Sequence, residues 1–506
     1  MEKSLIEMKE RGAPFEFVSI GKIVGVLLLF CLLPPVVYSQ QNISGKFTHG
    51  IASGDPDQFS VVLWTRFVPA KEEMNELSYE VSESRDFSQI KASGKVKSLG
   101  ENNFCIKLIA RELKPGTTYF YRFLQGDLIS PIGRTKTLPL EVEKLRIGVV
   151  NCAKYTGGYY HAYDALAKLE DVDVVIHLGD YIYENGPSTP KSSYWAAYLA
   201  TGRQHDPPRE CLTLEDYRTR YAQYRSDSSL QKLHANFPMI PIWDDHEIAM
   251  KRHKQNGEGR KVPNPTWEKR RDNSIKAYHE WLPLRPEPFE EIYRSFQFGN
   301  LLNLLMLDTR VCCRSLVDKT EASLNDTSRH IIGNKQLRWI KEEVKENDAV
   351  WNVFGNQILI SLKGRGWERW QGFPHDRERF LKFVEENPER NFLFTTGNAH
   401  NPHHYIVFSE AGTDTLLHEI LPGSISSGNN AEKARFDPVI LNKEDKRLKS
   451  AENVRWYHQN SHGFIVLDIS QRELVAQWHF VSTIWEKKYE TSIPYTLKIH
   501  SKRPHK

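Results

Sequence analysis

The stretch "VVIHLGDYIYENG", Val174 to Gly186, opens as a buried strand and closes on a carboxylate, two phenols and a glutamate. Val174, Val175 and Ile176 are β-branched, the composition of a strand covered on both faces. Gly179-Asp180 then stops the run, and Tyr181, Tyr183 and Glu184 follow at once. In layered α/β sheets ligands bind outside the carboxyl ends of strands, so a core strand that finishes on polar groups predicts such a sheet with a site at that end.

The rhythm on either side agrees. After Leu145, "LRIGVVN" reads as a strand, "YYHAYDALAKL" as a helix and "VDVVIHLGD" as a strand again. Further strands are legible at "FPMIPIWDD", "LLNLLMLDTR", "WNVFGNQ", "RNFLFTTGNAH", "LLHEILPGS", "GFIVLDIS" and "LVAQWHF", with helices between, including "LEDYRTRYAQYRSDSSLQKLHA" and "TWEKRRDNSIKAYHEWL". The fold class is α/β, a layered domain over 145–485. It is preceded over 47–139 by an all-β, fibronectin/Ig-like sandwich whose short alternating runs include "FSVVLWTRF" and "TTYFYRFL". Pro115-Gly116 makes a turn that sets Tyr119 and Tyr121 on the next strand, as a tyrosine corner does. Residues 486–506 read as a basic C-terminal tail.

The 506 residues are 40% hydrophobic and 11% aromatic, with no low-complexity tract, which describes a globular enzyme-sized chain and not a scaffold. A net charge of +4 gives no reason to expect nucleic acid and would not repel a small anion. Lys3, Lys9, Arg11 and Lys22 precede an apolar run from Ile23 to Leu33, and Ser39 follows Val37, so 1–39 reads as a signal peptide cut before Gln40. The expectation is export to a periplasm or the exterior, with no stable membrane span after cleavage. An uncut anchor is the other reading, which the shortness of the run and Pro34-Pro35 oppose. Of six cysteines, Cys31 leaves with the signal and five remain, an odd number. Cys312 and Cys313 are adjacent and would strain to bridge each other. Asn42 and Asn325 begin glycosylation sequons, patterns as common by chance.

Several strands end alike: Asn151-Cys152, Gly179-Asp180, Asp244-Asp245-His246-Glu247 and Gly397-Asn398-Ala399-His400. Carboxylates, imidazoles, a thiol and a phenol gathered in one crevice would repel or stay unsatisfied, and a metal resolves both problems. At this point the sequence resembles the alkaline phosphatase D (PhoD-like) family of metallophosphoesterases. The resemblance rests on "FTHGIASGDPDQFSVVLWTR", "NCAKYTGGYYHAYDALAK", "VIHLGDYIYE", "YRTRYAQYRSDSSLQKLHANFPMIPIWDDHEIA", "LLMLDTR" and "TGNAH", in that order.

The resemblance implies that Asp180 bridges two metal ions, with Tyr183 as phenolate and Cys152 as thiolate on one of them. Such ligands favour Fe3+, while Asp, Asn and backbone oxygens suit Ca2+, other divalent ions also being possible. Asp245 stands where the wider class places a metal-binding Asn and His246 where it places a phosphate-contacting His. Asp244 is a second ligand candidate, and Glu247 is expected to orient His246. His400 keeps its ligand position. Asn398 departs from the usual Gly-Asp-x-His and removes a negative charge, though its amide oxygen can still serve calcium.

Other residues read as structural: Tyr181 as packing, His177 as a buried, hydrogen-bonded histidine, Arg225 and the pair Asp308 and Arg310 as braces, His403 and His404 as exposed loop histidines that could otherwise repair the site. Lys251, Arg252, Lys254, Arg260 and Lys261 read as a solvated loop, with steering of phosphate substrates as the rarer role. The expected activity is a secreted phosphatase or phosphodiesterase in which a metal-activated water attacks phosphorus in line, with His246 on the developing charge and no covalent intermediate. Two alternatives follow: a catalytically silent phosphate- or polymer-binding homologue, because of Asn398, and an adhesion module built on the sandwich.

Overall fold

The computed structural model describes residues 45–249, 266–286, 291–361, 366–409, 412 and 414–502. The signal-peptide stretch and the basic loop at 251–261 lie outside these residues. Within Gly45–Lys506 the chain forms one unit.

Two sheets face each other. One has nine strands, in the order Thr491–His500, Glu473–Val481, His462–Ser470, Lys144–Val150, Val174–His177, Met239–Pro241, Lys46–Gly54, Val61–Val68 and Cys105–Ala110. The other has seven, in the order Arg294–Phe298, Leu302–Met306, Trp351–Asn356, Asn391–Thr396, Thr415–Pro422, Pro402–Phe408 and Val454–Tyr457. The strand period of two sorts the side chains. Leu302, Leu304 and Met306 point into the large core shared with the nine-stranded sheet, whereas Leu305 and Leu307 join Phe354, Phe392 and Phe394 against helices Gly333–Glu346 and Pro374–Glu385. Each such aliphatic side chain contributes about 1.5–3 kcal/mol by leaving water.

The N-terminal β region supplies two layers of its own. Ile51, Val61, Leu63 and Ile106 from the nine-stranded sheet meet Leu77, Val81, Tyr119, Tyr121 and Phe123 from a separate five-stranded sheet. Its strand Lys46–Gly54 also runs parallel to Met239–Pro241, with Gly54 opposite Met239, so that region and the α/β region share a sheet. Arg225 behaves as the brace expected of it: fully buried, it lies 4.2 Å over the Trp64 ring and donates to the His49 carbonyl at 3.3 Å. It closes the first of two helices in "LEDYRTRYAQYRSDSSLQKLHA", Leu214–Arg225; Asp227 then caps Ser228–Asn236 through the N–H groups of Ser229 and Leu230.

The segment expected as a C-terminal tail contains a strand. Thr491–His500 pairs with Glu473–Val481, because Tyr495, Leu497 and Ile499 alternate onto the core face and the Tyr495 ring stacks on Trp456 at 4.5 Å.

Candidate metal centre

Lys144–Val150, Val174–His177 and Met239–Pro241 are parallel neighbours, so their carboxyl ends lie side by side. Asn391–Thr396 of the facing sheet brings a fourth end to the same edge. Gly179 (φ 94°) makes the turn possible: a β-carbon there would lie 2.5 Å from Asp244 Cβ. Gly397 is close-packed too, since a β-carbon on it would lie 2.8 Å from the Leu178 carbonyl oxygen. Three residues that follow these strands, Cys152 (φ 56°), Asp180 (φ 54°) and Asn398 (φ 56°), hold left-handed backbone. Side chains adopt that region at a cost, and such residues gather where function fixes their direction.

Asp180 is the hub. Its Oδ2 accepts from Tyr183 Oη at 2.9 Å and from Cys152 Sγ at 3.3 Å, and its Oδ1 from the His246 backbone N–H at 3.4 Å. Tyr183 Oη lies 3.4 Å from His400 Nε2, and His400 Nδ1 donates to the Gly428 carbonyl at 2.9 Å. That bond fixes the tautomer that turns Nε2 toward the centre. Two groups of ligand-capable atoms result, each within 4.8 Å: Cys152, Asp180 and His400, and Asp180, Asp245 and His246. Asp180 is common to both.

The chemistry of this set fits cations. Burial, with Asp180 beside them, pushes the Cys152 thiol and the Tyr183 phenol well above their ordinary ranges, so in the protein alone both keep their protons. A cation bound here would replace those protons, with the Cys152 sulfur and the Tyr183 oxygen as candidate ligands. Asp244 Oδ2 and Asn151 Oδ1 are buried with no hydrogen-bond partner among the described residues. Asp244 belongs to neither ligand group. Its Oδ1 accepts from Arg310, whose guanidinium also reaches Asp245 Oδ1 at 3.3 Å. Arg310 is thus a brace between two strand-end carboxylates, and Asp308 holds its loop. Asn398 stands half-buried at the rim.

Glu247 does not orient His246. Its carboxylate accepts the N–H groups of Asp180 (3.1 Å), Asp244 (2.7 Å) and Tyr181, tying two strand ends together. The residue that orients His246 is Glu184, whose Oε2 accepts from Nδ1 at 2.6 Å. Burial works against a charged His246, but Glu184, Asp180 and Asp245 more than offset it and push the imidazole up to about 9. The His246 ring lies 4.1 Å from that of Tyr183.

His403 and His404 are likewise not loop residues. They lie buried in the strand Pro402–Phe408; His403 Nδ1 donates to the Asn401 carbonyl, and His404 Nε2 lies 2.9 Å from His418 Nδ1. Neither belongs to the ligand groups. His177 is the satisfied histidine expected, with Nε2 2.7 Å from Tyr163 Oη, and Tyr181 Oη lies 2.8 Å from His234 Nε2 in the core.

In sequence "PGSISSGNN", Pro422–Asn430, reads only as a strand end, yet it closes the site. Ser427 Oγ lies 2.6 Å from Tyr183 Oη and 2.9 Å from the Cys152 carbonyl oxygen, while Gly428 anchors His400. Glu184 was in plain view in the opening stretch, but nothing in the sequence pairs it with a histidine 62 positions later.

Glu247→Ala strands three backbone donors in the interior. At about 1–3 kcal/mol for each unmet buried group, the expected loss is roughly 3–9 kcal/mol, read as a lower midpoint in denaturant with an unchanged slope.

A layered α/β frame carrying acid, thiol, phenol and imidazole at adjoining strand ends has the makings of a metal centre, and comparison with known proteins says in which class of protein it stands. The PhoD-like phosphatase family matches residues 147–478, and the PhoD-like phosphatase N-terminal domain matches residues 34–139. Alkaline phosphatase D of Bacillus subtilis (strain 168) is 32% identical over 481 residues, covering 86% of this chain and 80% of that protein. A solved structure of PhoD superposes with a TM-score of 0.78 at 29% identity, over 90% of this chain and 91% of the other. The chain belongs to the PhoD-like phosphatase family and is a hydrolase of phosphoric ester bonds.

Proposed function

We propose that this phosphatase works with metal ions held by Cys152, Asp180, Tyr183, Asp245, Asn398 and His400, and that it acts outside the cytoplasm on a phosphate mono- or diester. The observation that carries the reading is that Asp180 belongs to two ligand groups at once, as a bridging carboxylate must. Fe3+ suits the phenol and thiol side and Ca2+ the Asp and Asn oxygens. Bound there, such ions would supply Lewis acidity toward phosphoryl oxygens and make a water acidic enough to attack.

The chain's own residues do the rest. His246, held through Nδ1 by Glu184, presents its other nitrogen to the leaving oxygen and meets the charge that develops there. Arg310 keeps Asp244 and Asp245 in place and balances part of their charge. Ser427 and Gly428 hold Tyr183 and His400 in register.

Export rests on the 1–39 signal pattern; N-terminal sequencing of the mature protein should begin at Gln40. Among the described residues no helix is long and apolar enough to cross a membrane. The activity is tested by hydrolysis of an aryl phosphate and a bis-aryl phosphate at mildly alkaline pH, before chelation, after it and after return of each ion. Turnover lost and restored with the ions supports the reading; turnover indifferent to chelation rejects it.

Asn398→Asp tests the one departure from the family pattern. An added carboxylate at the rim should tighten ion binding about tenfold or more, measured by competition with a chelator, and leave the wild type as an active reference. Turnover that appears only in the variant would make the wild type a silent phosphate binder.

A further inference from the structure

The loop that follows Leu302–Met306 carries, after Arg310, the adjacent pair Cys312 and Cys313. Its backbone is fixed as far as the first cysteine: buried Asp308 accepts the N–H groups of Arg310 and Val311 on Oδ1, both at 2.8 Å, and of Cys312 on Oδ2 at 3.2 Å. The two sulfurs then stand 2.7 Å apart. Both cysteines are partly exposed, unlike Cys105, Cys152 and Cys211, which are buried.

The surroundings favour a reactive thiolate on the second cysteine. Cys313 packs on the start of helix Gly333–Glu346, where a β-carbon at Gly333 would lie 3.0 Å from Cys313 Cβ. Helix N-termini stabilise thiolates. The hydrogen bond between the two sulfurs lowers the Cys313 thiol and raises the Cys312 thiol. Gln336 Nε2 reaches Cys312 Sγ at 3.5 Å.

We propose that Cys312 and Cys313 form a reversible dithiol–disulfide site, oxidised by exchange with a small-molecule disulfide of the glutathione class. The Cys313 thiolate attacks one sulfur of that disulfide, forming a mixed disulfide and expelling one thiolate. Cys312, giving up its proton, then attacks the Cys313 sulfur and expels the second. Two cysteine thiols are oxidised and one disulfide is reduced to two thiols, so atoms and electrons balance.

The strain expected for adjacent cysteines sets the character of this bond. Neighbouring Cα atoms lie about 3.8 Å apart across a trans peptide, against about 4.4–6.8 Å in ordinary disulfides. Strained disulfides are the easily reduced ones, which suits a reversible site and not a permanent staple. Closure would also stiffen the loop that aims Arg310 at Asp244 and Asp245.

The test uses the full wild-type chain, equilibrated in glutathione buffers from reducing to oxidising, quenched in acid, alkylated and digested with trypsin. The peptide Val311-Cys312-Cys313-Arg314 should accumulate unalkylated and about 2 Da lighter than its dithiol form, then return to the dithiol with excess reductant. Cys312→Ser should instead trap a glutathione adduct on Cys313. Full alkylation of both cysteines across the whole series, or a wild-type adduct that never resolves, would overturn the proposal.

Discussion

Asp180→Ala should lose about 10³-fold or more in kcat/KM toward an aryl phosphate while the chain stays folded. The carboxylate is fully buried and takes hydrogen bonds from Tyr183, Cys152 and the His246 backbone, so its removal empties the point shared by both ligand groups. Stability moves much less, because two effects oppose. The variant strands those donors, yet it also removes one of several crowded carboxylates. Burial first, then the neighbouring Asp180 and Asp245, pushes Asp244 up to about 8 even with Arg310 beside it. The ion-free variant should therefore melt within a few degrees of ion-free wild type, while ion content falls with activity. Turnover at the wild-type rate in a folded Asp180→Ala protein would remove the bridge from the account.

His246→Ala should lower kcat by about 10²–10⁴-fold, the range for a positioned acid or charge-stabilising group. Its ring is held by Glu184 at 2.6 Å and is only 13% exposed, so the imidazole is placed rather than loose. Because His246 also lies within ligand range of Asp180 and Asp245, ion content must be read beside the rate. A rate that falls with the ions retained places His246 on the substrate. Ions lost in proportion to the rate would make it a ligand instead.

The strand ends are legible because polar groups follow closely on apolar runs: Cys152 directly after "LRIGVVN", Asp180 directly after "VVIHLG", and His400 just past "NFLFTTGN", after Ala399. Parallel pairing then brings residues distant in sequence to one edge. Direction and partnership are not legible from the same runs. Glu247 adjoins His246 in sequence, but its carboxylate turns back to three backbone N–H groups, while Glu184 arrives from another strand end to hold the ring. "NPHHYIVFS" looks like a polar loop that leads into a strand. Its histidines are instead paired on both sides, His403 opposite Leu421 and Tyr457, because stacking on Tyr405 at 5.0 Å and the His404–His418 contact satisfy rings that polarity alone would place in water. The Ser427 contact carries no sequence signal at all, since serine is among the ordinary residues of turns.

The most direct test of the central claim, that these strand ends hold a bridged metal pair with a phenolate ligand, is elemental analysis of the purified protein combined with its visible absorption spectrum. Bound iron and calcium are expected, with a visible band that Tyr183→Phe abolishes in protein that remains folded. Folded protein that was offered both ions, binds neither and shows no such band would contradict it.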